Sequence, residues 1–141
     1  MVDMVREANI GHLVTFLGYR DDVALLMQEA IAIVVPSYYE AFGRCLTEAM
    51  FNGCLTIGRD TGGIREQYNN GKELLGREIG IRFSTVEELA LCMKKVSKCQ
   101  VSQMTYDAQQ VVTNLYSIEN NVKEVIQLYD RIKYGNESVL Q

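Results

Sequence analysis

Two carboxylates, Glu40 and Glu48, stand eight positions apart in Ser37-Tyr-Tyr-Glu-Ala-Phe-Gly-Arg-Cys-Leu-Thr-Glu-Ala-Met50. Between them lies Gly43, which lets a backbone turn tightly into a helix and approach a ligand closely. The first amides of that helix, around Arg44 to Leu46, have no intrahelical acceptor and suit an anion such as phosphate. A carboxylate does not hold a phosphate, but it accepts two hydrogen bonds from vicinal hydroxyls such as those of a ribose or a sugar ring. Glu48, one turn into the helix, and Glu40, on the preceding loop, are placed for that work. Either glutamate taken alone reads as a solvated surface residue; the pair around a glycine turn reads as a site.

Arg44 sharpens the expectation. A cation in the first turn opposes the helix dipole by about 0.3–1 kcal/mol unless an anion lies nearby. Pairing with Glu48 at i,i+4 is the plainer account, but that orientation is the weaker one and offers only a few tenths of a kcal/mol. The anion reading is preferred. Cys45, Leu46, Ala49 and Met50 make the face expected to be buried.

The elements that must position these groups alternate. Ile31 to Val35 is a continuous β-branched run, expected to be a central parallel strand buried on both faces. Leu13-Val-Thr-Phe-Leu17 reads as a strand closed by Gly18. Asp21-Asp22 caps a helix to about Glu29, with Val23, Leu26, Met27 and Ala30 at helical spacing. Leu55 to Ile57 is a strand, and Thr61-Gly-Gly63 turns into a helix reaching about Tyr68. A polar loop at 69–78 and a strand at 80–83 follow. Thr85 opens a helix with Glu87 and Glu88 in its first turn. Two further helices are expected at about 102–115 and 118–133. The last has Val122, Val125, Ile126, Tyr129 and Ile132 on one stripe and so packs on something. Residues 135–141 read as a frayed tail.

Alternating strands and helices mean an α/β fold, a Rossmann-like open parallel sheet flanked by helices. Ligands then bind beyond the carboxyl ends of the strands. Three polar or glycine-containing loops are expected there: Gly18 to Asp22, Pro36 to Gly43, and Gly58 to Gly63. The Gly62-Gly63 pair is either a second binding turn or a tight connection. Tyr38, Tyr39 and Phe42 either floor a pocket or pack.

Composition narrows the function classes. The chain has 141 residues, 48% hydrophobic and 23% charged, as in one soluble globular domain. A net charge of −4 without a basic run argues against a nucleic-acid groove. Cysteines stand at 45, 54, 92 and 99 with no CxxC pair, and the single His12 is far from them, so no metal site is expected. Structural thiols in a reducing, cytoplasmic compartment fit better than disulfides. No apolar run reaches the length of a membrane span.

Phe16-Leu-Gly-Tyr-Arg-Asp-Asp22, Val35-Pro-Ser-Tyr-Tyr-Glu-Ala-Phe-Gly-Arg44, Thr47-Glu-Ala-Met50, Gly53 and Asp60-Thr-Gly-Gly-Ile-Arg-Glu66 together resemble the donor half of group 1 (family 4) retaining glycosyltransferases, two-domain enzymes of the GT-B architecture. The resemblance runs from about Ile10 to Phe83 and includes the family's pair of glutamates separated by seven residues. It implies that residues 1–134 are a nucleotide-sugar donor-binding domain, with the first part of that domain and the acceptor-binding half absent. It implies that Glu40 contacts the transferred sugar, as the catalytic carboxylate, and that Glu48 holds the ribose. Amides near Phe42, Gly43, Arg44 and Cys45 would cradle the diphosphate, and Gly18, Tyr19 and Arg20 would lie against the base. A UDP-sugar is the default donor, with no further cofactor. The expected partners are that donor and an acceptor-binding half or partner chain, with self-association through the last helix as a further expectation. These residues alone are expected to turn over little or not at all. A non-catalytic nucleotide-sugar binding module, part of a sugar-nucleotide epimerase, and a generic interaction domain are the competing readings.

Overall fold

A computed structural model describes residues 1–96 and 102–135. Cys99 and the expected tail beyond Gly135 lie outside these residues. Helix α1 spans Val2–Glu7, and a 3-10 turn at Gly11–Leu13 follows. Next come α2 (Val23–Glu29), β1 (Ala32–Val35), α3 (Arg44–Phe51), β2 (Leu55–Arg59), α4 (Gly62–Leu75), β3 (Ile81–Phe83), α5 (Val86–Lys95), α6 (Ser102–Leu115) and α7 (Ile118–Gly135).

The three strands form one parallel sheet in the order β1-β2-β3, with Val34 opposite Ile57 and Ile57 opposite Ile81. Parallel neighbours need a crossover, and α3 and α4 supply the two. The α/β expectation is borne out. The place of β1 is not: β2, buried from Leu55 to Gly58, is the central strand, while β1 is an edge buried fully only at Val35.

The main core gathers Val35, Leu46, Met50, Ile64, Tyr68 and Ile79 with Ala108, Val111 and Val112 of α6. Ile33 joins it to a smaller cluster of Met27, Ala49 and Cys54. So α3 is wedged between the sheet and α6 through Leu46, Ala49 and Met50, the face its sequence assigns. Cys45 departs from that assignment and is exposed, as only one side of a single helix can face the sheet.

Three further expectations are corrected. Leu13–Leu17 joins no ladder among the described residues, and Leu13, Phe16 and Leu17 are exposed. A run of strand-forming residues favours an extended chain, whereas a strand also needs a partner, which local sequence does not specify. Second, α4 runs through the expected loop to Leu75 and stops at Gly76 in the left-handed conformation. Gly71 looks like a turn signal, yet its missing side chain makes room for Ile79, whose Cγ1 would lie 2.6 Å from a Cβ there. Third, Asp22 occupies the N-cap position of α2 but makes no side-chain cap; Arg20 engages its carboxylate instead, at 2.7 and 2.5 Å. Thr85 opens α5 as expected, and the structure adds a reciprocal cap between Thr85 and Glu88.

One buried charge fastens α6. Asp107, 4% exposed, receives Arg77 Nε and Nη2 at 2.5 and 2.8 Å and Gln103 Nε2 at 2.9 Å. Arg77 holds the Asp107 carboxyl below its ordinary value of 3.8. A depressed folded-state pKa contributes stability that is present above the ordinary carboxylate range and lost as pH falls through the folded value. Asp107→Asn is therefore expected to lower Tm at neutral pH by on the order of 5 °C, and to shrink the wild type's loss of Tm below about pH 4. Thermal melts of both proteins across that range check this.

Candidate functional site

The site lies where β1 and β2 end. Beyond Val35 the chain runs through Pro36 to Phe42 and enters α3 at Gly43, whose φ of +81° is the left-handed turn that a side chain resists. The Gly43 carbonyl accepts from the Leu46 and Thr47 amides at 2.9 and 3.3 Å. The Leu46 amide is thereby satisfied within the turn and drops out of the expected cradle. The amides of Arg44 and Cys45 find no acceptor among the described residues, and both residues are exposed. Two free N–H groups at the positive end of an eight-residue helix remain.

The turn is locked from beneath. Gln67 of α4 is 1% exposed; its amide nitrogen donates to the carbonyl of Phe42 and its carbonyl oxygen accepts from Thr47 Oγ1 at 2.9 Å. Nothing in the local pattern of α4 identifies Gln67, because its role depends on a partner 25 positions away.

The β2 turn closes on the loop that carries Glu40. The Gly63 amide donates to the Glu40 carbonyl at 2.9 Å, and Thr61 Oγ1 donates to the Tyr38 carbonyl at 3.4 Å. A Cβ on Gly63 would sit 2.5 Å from the Ala41 carbonyl oxygen and from Phe42 Cα. Gly62, at φ +47°, would press a Cβ on the Glu40 carbonyl oxygen. These glycines are here because two backbones meet. The Gly63 amide, already engaged, is not free for an anion. Glu66, on the next turn of α4, is exposed.

Glu40 is half-buried, and its Oε1 accepts from Ser37 Oγ at 2.9 Å. Glu48 is exposed and lies 3.7 Å from Arg44 Nη2, so the i,i+4 pair does form. Between two exposed side chains such a pair is weak and leaves Arg44 able to turn toward an anion. The Cys45 thiol senses both carboxylates: partial burial, then the charge of Glu48, then that of Glu40, push it up. A raised value disfavours the thiolate. Along the chain, Glu40 precedes the first turn of α3 and Glu48 follows it.

Phe42 stacks edge-on against Tyr116, ring centroids 5.3 Å apart, and Asn70 Nδ2 donates to the Tyr116 hydroxyl at 3.0 Å. These residues line a groove of about 760 Å³ that also reaches Arg44, Glu48 and Glu73. Tyr116, at the α6–α7 junction, carries no sequence signal for this. Tyr38 and Tyr39 are exposed rather than packed in the core.

Gly18, Tyr19 and Arg20 are not drawn into this cluster by any hydrogen bond among the described residues. Gly18 is left-handed, Tyr19 is exposed, and Arg20 pairs with Asp22. Among the described residues no group of three His, Cys, Asp or Glu side chains is arranged to hold a metal. His12 is exposed within the 3-10 turn. No helix among them is long and apolar enough to cross a membrane.

A parallel α/β sheet with a glycine-turned helix N-terminus and two carboxylates near its carboxyl edge defines the class: a Rossmann-like domain. The chain belongs to the group 1 glycosyl transferases, whose family model matches residues 1–111. It is 37% identical over 94 residues to the N-acetyl-alpha-D-glucosaminyl L-malate synthase of Bacillus anthracis, covering 67% of this chain and 25% of that protein. It is 32% identical over 74 residues to a glycogen synthase of Mycobacterium tuberculosis, covering 51% of this chain and 18% of that one. Its fold matches the solved sucrose-phosphate synthase from Thermosynechococcus elongatus with a TM-score of 0.82 at 26% identity, over 95% of this chain and 34% of that one. The chain thus spans a quarter or less of these curated relatives and about a third of the solved one.

Proposed function

We propose that this chain is the donor-binding part of a glycosyltransferase that moves a sugar from a nucleoside diphosphate sugar, by default a UDP-sugar, to an acceptor with retention of configuration. The observation that carries the reading is the pair of unpartnered amides at Arg44 and Cys45, flanked by Glu40 and Glu48. The diphosphate lies on those amides, Glu48 accepts from the ribose hydroxyls, and Glu40 accepts from the transferred sugar. As the glycosidic bond breaks, charge grows on the departing diphosphate. Oriented N–H groups, with Arg44 released from Glu48, stabilise that charge more than they stabilise the bound donor. Gly62 and Gly63 act by holding the Glu40 loop, and Gly18 to Arg20 meet the base.

The acceptor-binding part is a separate half or chain. The exposed apolar stripe of α7, from Val122 through Val125, Ile126 and Tyr129 to Ile132, supports this, because such a face is ordinarily covered by a partner; a second copy of this chain is the other occupant.

Titrating the chain with UDP, GDP, ADP and their glucose conjugates while recording backbone amide spectra tests the reading. Saturable shifts at Arg44, Cys45 and Glu48 are expected with at least one nucleotide-sugar. Unchanged spectra at millimolar concentrations of all of them would overturn it.

A further inference from the structure

β2 ends on Arg59, a half-buried cation that the site has not yet used. Its Nε donates to the Pro36 carbonyl at 3.2 Å and its Nη1 to the Ser84 carbonyl at 2.8 Å. The guanidinium carbon also stands 4.1 Å from the centroid of the Tyr38 ring and 5.3 Å from that of Phe83. One side chain thereby joins the carboxyl ends of all three strands and covers them with an aromatic ring. We propose that Arg59 is a positioning residue for Glu40, setting the start of the loop that presents this carboxylate to the sugar of the donor.

The far end of that loop is held by the Gly63 amide on the Glu40 carbonyl. The near end begins at Pro36, which has no N–H and offers its carbonyl as its only backbone hydrogen-bonding group. Arg59 takes that carbonyl. It also stacks on Tyr38, two residues before Glu40, whose own carbonyl has only the long contact from Thr61. With both ends fixed, Ser37 lies where its hydroxyl meets Glu40 Oε1. Lysine does not reproduce this arrangement, because its donors share one nitrogen, whereas the planar guanidinium reaches the two carbonyls from Nε and Nη1 while stacking on a ring.

The role of Glu40 rests on the donor-site reading above, so the test has one readout that needs no ligand. Amide hydrogen exchange is compared in wild type, Arg59→Lys and Arg59→Met. Exchange at Tyr38 to Ala41 is expected to rise about tenfold in both variants, with α4 and α6 unchanged. In titrations, the affinity for the UDP-sugar is expected to fall about tenfold, while that for UDP stays within about twofold. Loop exchange at the wild-type rate, or recovered in Arg59→Lys, would overturn the inference, as would exchange rising throughout α4 and α6. Equal losses for UDP and UDP-sugar would overturn the link to Glu40. Failure of the wild type to bind any nucleotide-sugar would instead overturn the donor-site reading, while loop exchange still decides whether Arg59 sets this loop.

Discussion

Glu48→Ala is expected to weaken binding of plain UDP by about tenfold to a hundredfold, the loss of one or two hydrogen bonds to a charged acceptor. The hydroxyls of a ribose present two donors to one carboxylate, and α3 carries no other acid than Glu48. The substitution also frees Arg44 from its 3.7 Å pairing, which favours the diphosphate. That gain is a few tenths of a kcal/mol for an exposed pair, so the loss prevails. Glu40→Ala behaves differently. It is expected to leave UDP affinity near the wild-type value and to lower that for the UDP-sugar, because the proposed site puts the Glu40 side chain on the sugar alone. Calorimetric titration of both variants with both ligands checks the contrast. Equal losses for UDP in the two variants would show that the roles of the carboxylates are misassigned.

Gly63→Ala is the second large effect. The new methyl would lie 2.5 Å from the Ala41 carbonyl oxygen and Phe42 Cα and 2.6 Å from the Phe42 carbonyl oxygen. All three atoms are backbone, so no rotamer change relieves the overlap. Either the Glu40 loop shifts away from α4, breaking the Gly63 to Glu40 hydrogen bond, or the start of α4 is displaced from Ile64 in the core. Overpacking of this kind costs about 1–3 kcal/mol, a fall in Tm on the order of 5–10 °C. Amide shifts concentrated between Glu40 and Leu46 should accompany it. A variant that melts with the wild type, with those amides unmoved, would contradict the close approach of the two loops. Gly53, also at positive φ, is a useful contrast: a Cβ there would meet only the Gln109 amide nitrogen at 4.0 Å, so any cost comes from backbone conformation alone.

What the sequence made legible was local. The run from Ile31 to Val35 is β-branched and continuous enough to mark a parallel strand, but not its place at the edge of the sheet. The glycine before Arg44 marks a helix start, and Thr85 followed by Glu87 and Glu88 marks another. Each of these signals is complete within a few residues. The misses depend on neighbours far along the chain. Leu13–Leu17 is composed like a strand but has no partner among the described residues, and β1 is an edge because nothing described pairs on its other side. Gly71 serves Ile79 rather than a turn, so α4 ran past its expected end. Gln67 and Arg59 matter through carbonyls 25 and 23 positions away. The site was legible in the same measure. The glutamates, Gly43 and the first amides of α3 follow from a motif, whereas the clasp of Gly63 on Glu40 and the disfavoured thiolate of Cys45 follow only from packing. The roles proposed for Gly18, Tyr19 and Arg20 come from the family resemblance alone, and no hydrogen bond among the described residues ties these three to the site.

The most direct measurement is a crystal structure of the chain with an intact or non-transferable UDP-sugar. A diphosphate oxygen is predicted within hydrogen-bond distance of the Arg44 and Cys45 amides, with Glu48 on the ribose hydroxyls and Glu40 on the sugar. A donor bound with those two amides still facing solvent, or with both carboxylates turned away from it, would contradict the account.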